Sequence, residues 1–509
     1  MLARANTFTI DGLHVRPVTV EVDIRPGLPA FSIIGLADAA VREARERVRT
    51  AILNSGFEFP ARRITANLAP ADVPKAGPGL DLALACAILA ASGQTSGERL
   101  PSHALFGELA LDGTIRPSQG ALAVAMAAAQ AGLARLVLAQ AQARRAALVQ
   151  KIEITPAASL RSAVRILAGG SADRPPAGAV EARAPLATGD GPAGPDLCEV
   201  RGQHHAVRAL IVAAAGAHNL LLSGPPGTGK TMLAHRLGPI LPPLCPEEAI
   251  EVMRVYALAG MGERLARERP FRAPHHSVSA AGLLGGAQRN WVGEVALAHH
   301  GVLFLDELAE FARPALEALR QPLEEGRLAI VRARGAAVYP ARFMLVAATN
   351  PCPCGYAGDG ERCDCSEAEL ARHRRRLSGP LLDRIDLLVH LHREGDLRAA
   401  AFTTTRRARE RVLLARERQA ARLAGKGALV NAAMDAAALR RHVVLDERGD
   451  DLLRRAAGQG MLSARGQHRV LRVARTIADL EGSPRVRAAD LGAALAMRPE
   501  VGLHGSRAA

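Results

Sequence analysis

The octapeptide Gly224-Pro225-Pro226-Gly227-Thr228-Gly229-Lys230-Thr231 restricts this chain more than any other stretch. It fills the template G-x-x-x-x-G-K-[ST], with the apolar run Leu220-Leu221-Leu222-Ser223 before it and Met232-Leu233-Ala234 after it. A buried strand, a glycine-rich turn and a helix are the surroundings such a loop needs. The glycines let successive backbone N–H groups face the β- and γ-phosphates of a nucleotide, Lys230 adds a full positive charge, and Thr231 offers its hydroxyl to Mg²⁺. The motif predicts a site for ATP and Mg²⁺ on an α/β sheet.

A second acidic signal lies downstream. Gly301-Val302-Leu303-Phe304-Leu305-Asp306-Glu307 reads as a buried strand ending in two carboxylates, at the edge where α/β proteins bind ligands. Asp306 suits Mg²⁺ coordination and Glu307 suits polarising an attacking water. Phe343-Met344-Leu345-Val346-Ala347-Ala348-Thr349-Asn350 is a third apolar strand, whose terminal amide can bridge the γ-phosphate and that water. Ser378 to Asp386 then places Arg384 beyond the sheet, where a guanidinium can stabilise transition-state charge at a neighbouring subunit's nucleotide. An ion pair with Asp383 or Asp386 is the competing assignment for Arg384.

At 509 residues and 49% hydrophobic, the chain has room for roughly three domains of about 150 residues each. No apolar run reaches transmembrane length, and Met1 to Thr7 lacks the apolar segment of a signal peptide, so a cytoplasmic protein with no membrane partner is expected. The formal charge of +15 invites a polyanionic partner. Lys75, Lys151, Lys230 and Lys426 are the only lysines, however, so the charge is carried by arginine in an alanine-rich chain and favours nucleic acid only mildly. An aromatic content of 3% argues against a base-stacking platform.

Residues 1–168 alternate strand-like and helix-like segments: Val18 to Ile24 and Arg63 to Leu68 as strands, Asp38 to Asn54 as an amphipathic helix, and Leu80 to Ala91 as an almost wholly apolar helix that must be buried. Pro74-Lys75-Ala76-Gly77-Pro78-Gly79-Leu80-Asp81 and Gly107 to Pro117 resemble the proteolytic domain of Lon-type proteases, a ribosomal-protein-S5-like α/β fold. In that family the first pattern carries a nucleophilic serine where this chain has Gly79, and the partner lysine falls at about Leu122. Without hydroxyl or base, no peptidase is expected. Residues 169–195 turn to Gly, Pro and Ala without apolar periodicity and read as a linker.

Together these motifs resemble the Mg-chelatase-like branch of AAA+ ATPases, and within it the YifB/ComM family, over essentially the whole chain. Val41 to Arg49, Ala217-His218-Asn219-Leu220-Leu221, Phe271-Arg272-Ala273-Pro274-His275-His276 and Ala298-His299-His300-Gly301 carry the likeness beyond the nucleotide motifs. The resemblance implies a degenerate Lon-like domain (1–168), a linker (169–195), a P-loop AAA+ core with a parallel sheet (196–392) and an all-helical C-terminal lid (393–509). It implies a hexameric motor on DNA, acting by branch migration in the recombination of transforming DNA. It also implies sensor 1 at Asn350 and sensor 2 at Arg465, with Arg469 close behind. A chelatase-type chaperone remodelling a protein partner for metal insertion is the alternative, against which the Lon-like N-terminal domain speaks.

Two insertions bear on DNA. Arg327 to Tyr339 alternates like a hairpin with a turn near Gly335, and by resemblance it enters the pore, making Arg332 and Arg334 candidate phosphate contacts. Ala273 to Trp291, rich in glycine, resembles a second pore insertion. The pairs His275/His276 and His299/His300 are expected to point to opposite faces of a strand and so not to share a metal. Cys352-Pro353-Cys354 and Cys363-Asp364-Cys365 bracket a polar loop, and four thiolates in that span can close a tetrahedral zinc site. Free thiols and a redox-labile disulfide stay open for the same residues.

Overall fold

Burial along Arg63–Ala69 alternates residue by residue, as a strand with one face on a core must. The computed structural model describes residues 1–509 apart from 12–13, 37–38, 74, 76, 150, 174–193, 262–267, 287–291, 333–334, 358–361, 377–378, 393–400, 425–428, 460–461 and 499–509. Most of the expected linker therefore lies outside the described residues. The chain divides into two units, Met1–Ala187 with Tyr256–Glu263, and Thr188–Val255 with Arg264–Ala509.

The described strands of the first unit are β1 (Leu2–Asp11), β2 (His14–Arg25), β3 (Ala30–Ile34), β4 (Arg63–Ala69), β5 (His103–Phe106), β6 (Glu108–Leu109), β7 (Ile115–Arg116), β8 (Arg135–Ala139) and β9 (Glu153–Ala157). Seven form one mixed sheet in the order β3-β4-β2-β1-β5-β8-β9, and β6 pairs with β7 as a separate hairpin. The helix Asp81–Ala91 buries ten of its eleven residues against this sheet's core, as its apolar composition requires. Gly79 just before it is tightly enclosed: a Cβ there would lie 2.3 Å from Cε2 of Phe106. The Phe106 ring thus occupies the space a serine side chain would need, and Leu122 is buried. Asp81 is buried too, held bidentately by Arg47 at 3.0 and 3.2 Å.

In the second unit, β10 (Leu220–Ser223), β11 (Phe271–Arg272), β12 (Val302–Leu305), β15 (Met344–Thr349) and β16 (Leu387–His390) form a five-stranded sheet in the order β11-β12-β15-β10-β16. Every neighbouring pair is parallel. β13 (Arg327–Arg332) and β14 (Gly335–Pro340) make the predicted hairpin, closing with Arg332 opposite Gly335. β10, β12 and β15 are buried at every position, the run expected of strands covered on both faces.

The C-terminal helices, among them Thr405–Leu423 and Ala464–Leu480, share one apolar cluster with this sheet. The expected division at 392/393 accordingly falls inside the second unit. Arg416 and Gln419 of the first of these helices donate to the carbonyls of Ala214 and Ala215, at the C-terminal end of the helix His204–Gly216. Orphan carbonyls of a helix end are thereby satisfied. Among the described residues no helix is long and apolar enough to cross a membrane.

Candidate nucleotide site

Parallel register sets Ser223 beside Thr349 and Leu305 beside Ala347, so β10, β12 and β15 end at one edge of the sheet. The residues that follow them meet there. Gly224 N donates to Thr349 O at 3.2 Å, and a Cβ on Gly224 would lie 2.6 Å from the Leu391 carbonyl oxygen, so only glycine lets the loop leave so close to its neighbour. Gly227 and Gly229 take positive φ of 78° and 85°, which a residue with a Cβ rarely adopts. Thr228 Oγ1 donates to Pro225 O at 2.9 Å and closes the turn.

Lys230 Nζ donates to Gly224 O at 2.7 Å, Pro225 O at 2.9 Å and Asn350 Oδ1 at 3.0 Å. An ammonium has three donors, and here they tie the phosphate loop to the end of β15. Burial lowers the lysine's pKa, against the nearby charges of Asp306 and Glu307. Thr231 Oγ1 donates to Asp306 Oδ2 at 2.7 Å, so a hydroxyl and a carboxylate stand together, the oxygen pair that Mg²⁺ takes in such sites. The donor and acceptor chemistry fits ATP with Mg²⁺.

Glu307 caps the end of β12 in a left-handed conformation, φ 53°. Such a geometry costs of order 1–3 kcal/mol in a residue with a side chain and persists where its surroundings impose it. Its carboxylate is exposed and lies 3.3 Å from His276 Nδ1. That histidine belongs to the Phe271-to-His276 stretch, but no local pattern announces its pairing.

The other expected residues fall as follows. Arg384 is mostly buried and pairs with Glu324, on the helix Arg320–Glu325, rather than with Asp383 or Asp386. Asp386 instead accepts from the backbone N–H of Asn219 at 3.1 Å. Asn219 also donates to Arg384 O and accepts from Leu345 N, both at 2.8 Å, which fastens β10 to its neighbours. Arg465 is exposed in the first turn of Ala464–Leu480; among the described residues no hydrogen bond or ion pair joins it to the phosphate loop. Arg334 lies outside the described residues, and of Arg332 only the backbone is described.

The histidine pairs correct an expectation. The rings of His275/His276 and His299/His300 sit together, with centroids 4.0 and 3.9 Å apart, because neither pair is on a strand and His300 has a φ of 56°. His299 and His300 donate through Nε2 to Glu251 at 2.8 and 2.9 Å and hold that carboxyl well below its usual range. His299 Nδ1 accepts the Arg342 backbone N–H at 3.1 Å, so its proton is on Nε2 and no ring lone pair is left for a metal. The cluster is a hydrogen-bonded clamp.

Cys352, Cys354, Cys363 and Cys365 do gather, all four sulfurs within 4.8 Å. The Tyr356 backbone N–H and the adjacent thiols draw Cys354 down to about 6.

A phosphate loop at the end of β10, between β15 and β16 of a five-stranded parallel sheet, its lysine joined to one strand-end amide and its threonine to another strand's carboxylate, defines a P-loop ATPase. The family model described as "Magnesium chelatase, subunit ChlI" matches residues 196–397, "Subunit ChlI of Mg-chelatase" residues 20–142, and "Magnesium chelatase, subunit ChlI C-terminal" residues 403–498. The chain is 43% identical to competence protein ComM of Haemophilus influenzae over 508 residues, covering 97% of this chain and 96% of that one. It is likewise 43% identical to the uncharacterized protein YifB of Salmonella typhimurium over 487 residues, 94% of each. A shorter likeness, 30% over 207 residues, 38% of this chain and 45% of the other, is to the Holliday junction branch migration complex subunit RuvB of Mycobacterium ulcerans. The chain belongs to the Mg-chelatase-like AAA+ ATPases, in the family of YifB and ComM.

Proposed function

We propose that this protein is a ring-forming ATPase that drives branched or single-stranded DNA through a central pore during recombination of incoming DNA, in the cytoplasm. The observation that carries the ATPase chemistry is the Lys230–Asn350 contact at 3.0 Å beside the Thr231–Asp306 contact at 2.7 Å. Gly224 to Thr231 hold the phosphates, Thr231 and Asp306 hold the Mg²⁺, Glu307 orients the attacking water, and Asn350 reports on the γ-phosphate. When bound, Mg²⁺ neutralises charge on the transferring phosphoryl group. Arg384 leaves Glu324 to act on a neighbouring subunit of a hexamer, and Arg465 closes from the lid. Arg332 and Arg334 of the β13–β14 hairpin hold the DNA backbone. Support for DNA comes from the likeness to ComM and to the Holliday junction branch migration subunit RuvB and from the +15 charge.

The test is ATP hydrolysis with single-stranded, duplex and four-way-junction DNA. Stimulation by DNA is expected, with a loss of about 10²- to 10⁴-fold in Glu307→Gln at unchanged nucleotide binding. Hydrolysis indifferent to every DNA form would overturn the DNA reading. It would favour a chelatase-type chaperone, an alternative that gains weight because the model matching residues 20–142 carries a chelatase subunit's description.

A further inference from the structure

The chain leaves β15 at Asn350 and within two residues reaches Cys352, the first of four cysteines. The Sγ atoms of Cys352 and Cys354 are 3.2 Å apart, those of Cys352 and Cys363 3.8 Å, and those of Cys354 and Cys363 3.7 Å. A tetrahedral centre with Zn–S bonds of about 2.3 Å has sulfur–sulfur edges of about 3.8 Å, since a tetrahedron's edge is about 1.63 times its centre-to-corner distance. A disulfide needs about 2.05 Å between two sulfurs and leaves the other two without a role. The two separations to Cys363 match the tetrahedral edge; Cys352–Cys354 is shorter than that edge but well beyond a disulfide bond, and Cys365 Sγ lies within 4.8 Å of the other three. Cys352 is fully buried, and its sulfur accepts the Ala357 backbone N–H at 3.2 Å, the support that a thiolate ligand receives from the residues around it.

We propose that Cys352, Cys354, Cys363 and Cys365 bind one Zn²⁺ as thiolates, and that this metal positions Asn350 against the phosphate loop. Two contacts connect the sulfur cluster to the nucleotide motifs. Gly355, at φ 88°, packs so closely on the phosphate loop that a Cβ would lie 2.6 Å from Pro226 Cδ. After Cys365 the chain enters the helix Glu367–Arg376, and His373 Nε2 of that helix meets the carbonyl oxygen of Asn350 at 3.0 Å. The segment thus begins at Asn350 and returns to it, with the four sulfurs at its waist. A metal there shortens a polar loop that has little apolar surface to bury, so the energy fixing Asn350 comes from ligation. Zinc is the ion of choice for four thiolates in a tetrahedron, having no redox chemistry and no geometric demand of its own.

The positioning role rests on the ATPase reading; the metal site does not. Full-length protein, purified without chelators from zinc-supplemented culture, is measured by elemental mass spectrometry and by release of zinc to a chromogenic chelator on addition of a mercurial. One zinc per chain is expected, absent from Cys354→Ser/Cys365→Ser and retained in Cys245→Ser. Mercurial-free stripping of the wild type and the double variant are each expected to lower kcat for ATP at least about tenfold with KM nearly unchanged. Substoichiometric zinc with four reactive thiols, a disulfide among the four, or iron with a visible thiolate charge-transfer band would overturn the site. Zinc bound and stripped without change in kcat would overturn the positioning role alone, and zinc bound in a protein without ATPase activity would overturn the ATPase reading alone.

Discussion

Asp81 stands where burial and ion pairing oppose each other. Burial pushes its carboxyl up to about 6, while Arg47 and the Leu109 backbone N–H pull it down. The folded value lies above the unfolded one of 3.8, so the folded state keeps a proton that the unfolded chain releases between about pH 4 and 6. Stability from this group is full below that window and lost as pH rises through it. A shift of two units corresponds to about 3 kcal/mol. Hydrogen exchange in the helix Asp81–Ala91 is expected to show the wild type losing protection relative to Asp81→Asn from pH 4 to 7; parallel curves would refute this. Gly79 is the counterpart in the same pattern: its missing side chain was legible in the sequence, but that Phe106 fills the space was not.

Among the elements, the C-terminal helices hold a buried carboxylate with five hydrogen bonds. Asp479 is buried on Ala464–Leu480 and accepts from Arg422 at 2.8 and 2.6 Å, from Arg475 at 3.2 and 2.9 Å and from Asn431 at 2.8 Å. Asp479→Ala strands two guanidinium groups around an apolar side chain, and a loss of about 3–5 kcal/mol is expected, read as a lowered denaturant midpoint. Asp479→Asn, which keeps an acceptor, is expected to lose less. The helical character of this region was legible in the sequence through the resemblance. The helix ends are set by short-range chemistry: Ser463 caps Ala464–Leu480 by accepting from Gly466 N. The His299/His300 geometry has no signal in the sequence, because the chain turns at the start of an apolar run that reads as a strand.

For the whole molecule, Arg384 is the deciding residue. Its guanidinium is engaged by Glu324 within the chain, and action on a neighbour requires that pair to open. Arg384→Ala and Lys230→Ala are each expected to be inactive as ATPases. Mixed, they are expected to regain activity, because the Lys230→Ala chain still offers Arg384 to the intact site of its neighbour; a mixture as inactive as its parts would refute action in trans.

What the sequence by itself determined was whatever a short segment can specify: the phosphate loop between its strand and helix, the carboxylates and amide that end two apolar runs, the glycine at position 79, and the four cysteines as a group. Their meeting was decided by the strand order β11-β12-β15-β10-β16, which sets Asn350 against Lys230 across 120 positions. The same order of assembly brings Glu324 to Arg384 across 60 positions and His276 to Glu307. Such partners have no local periodicity to betray them, since a single charged side chain reads alike whether it faces solvent or a distant opposite charge. Only the tertiary packing, which decides which strand ends and loops lie side by side, selects the particular partner.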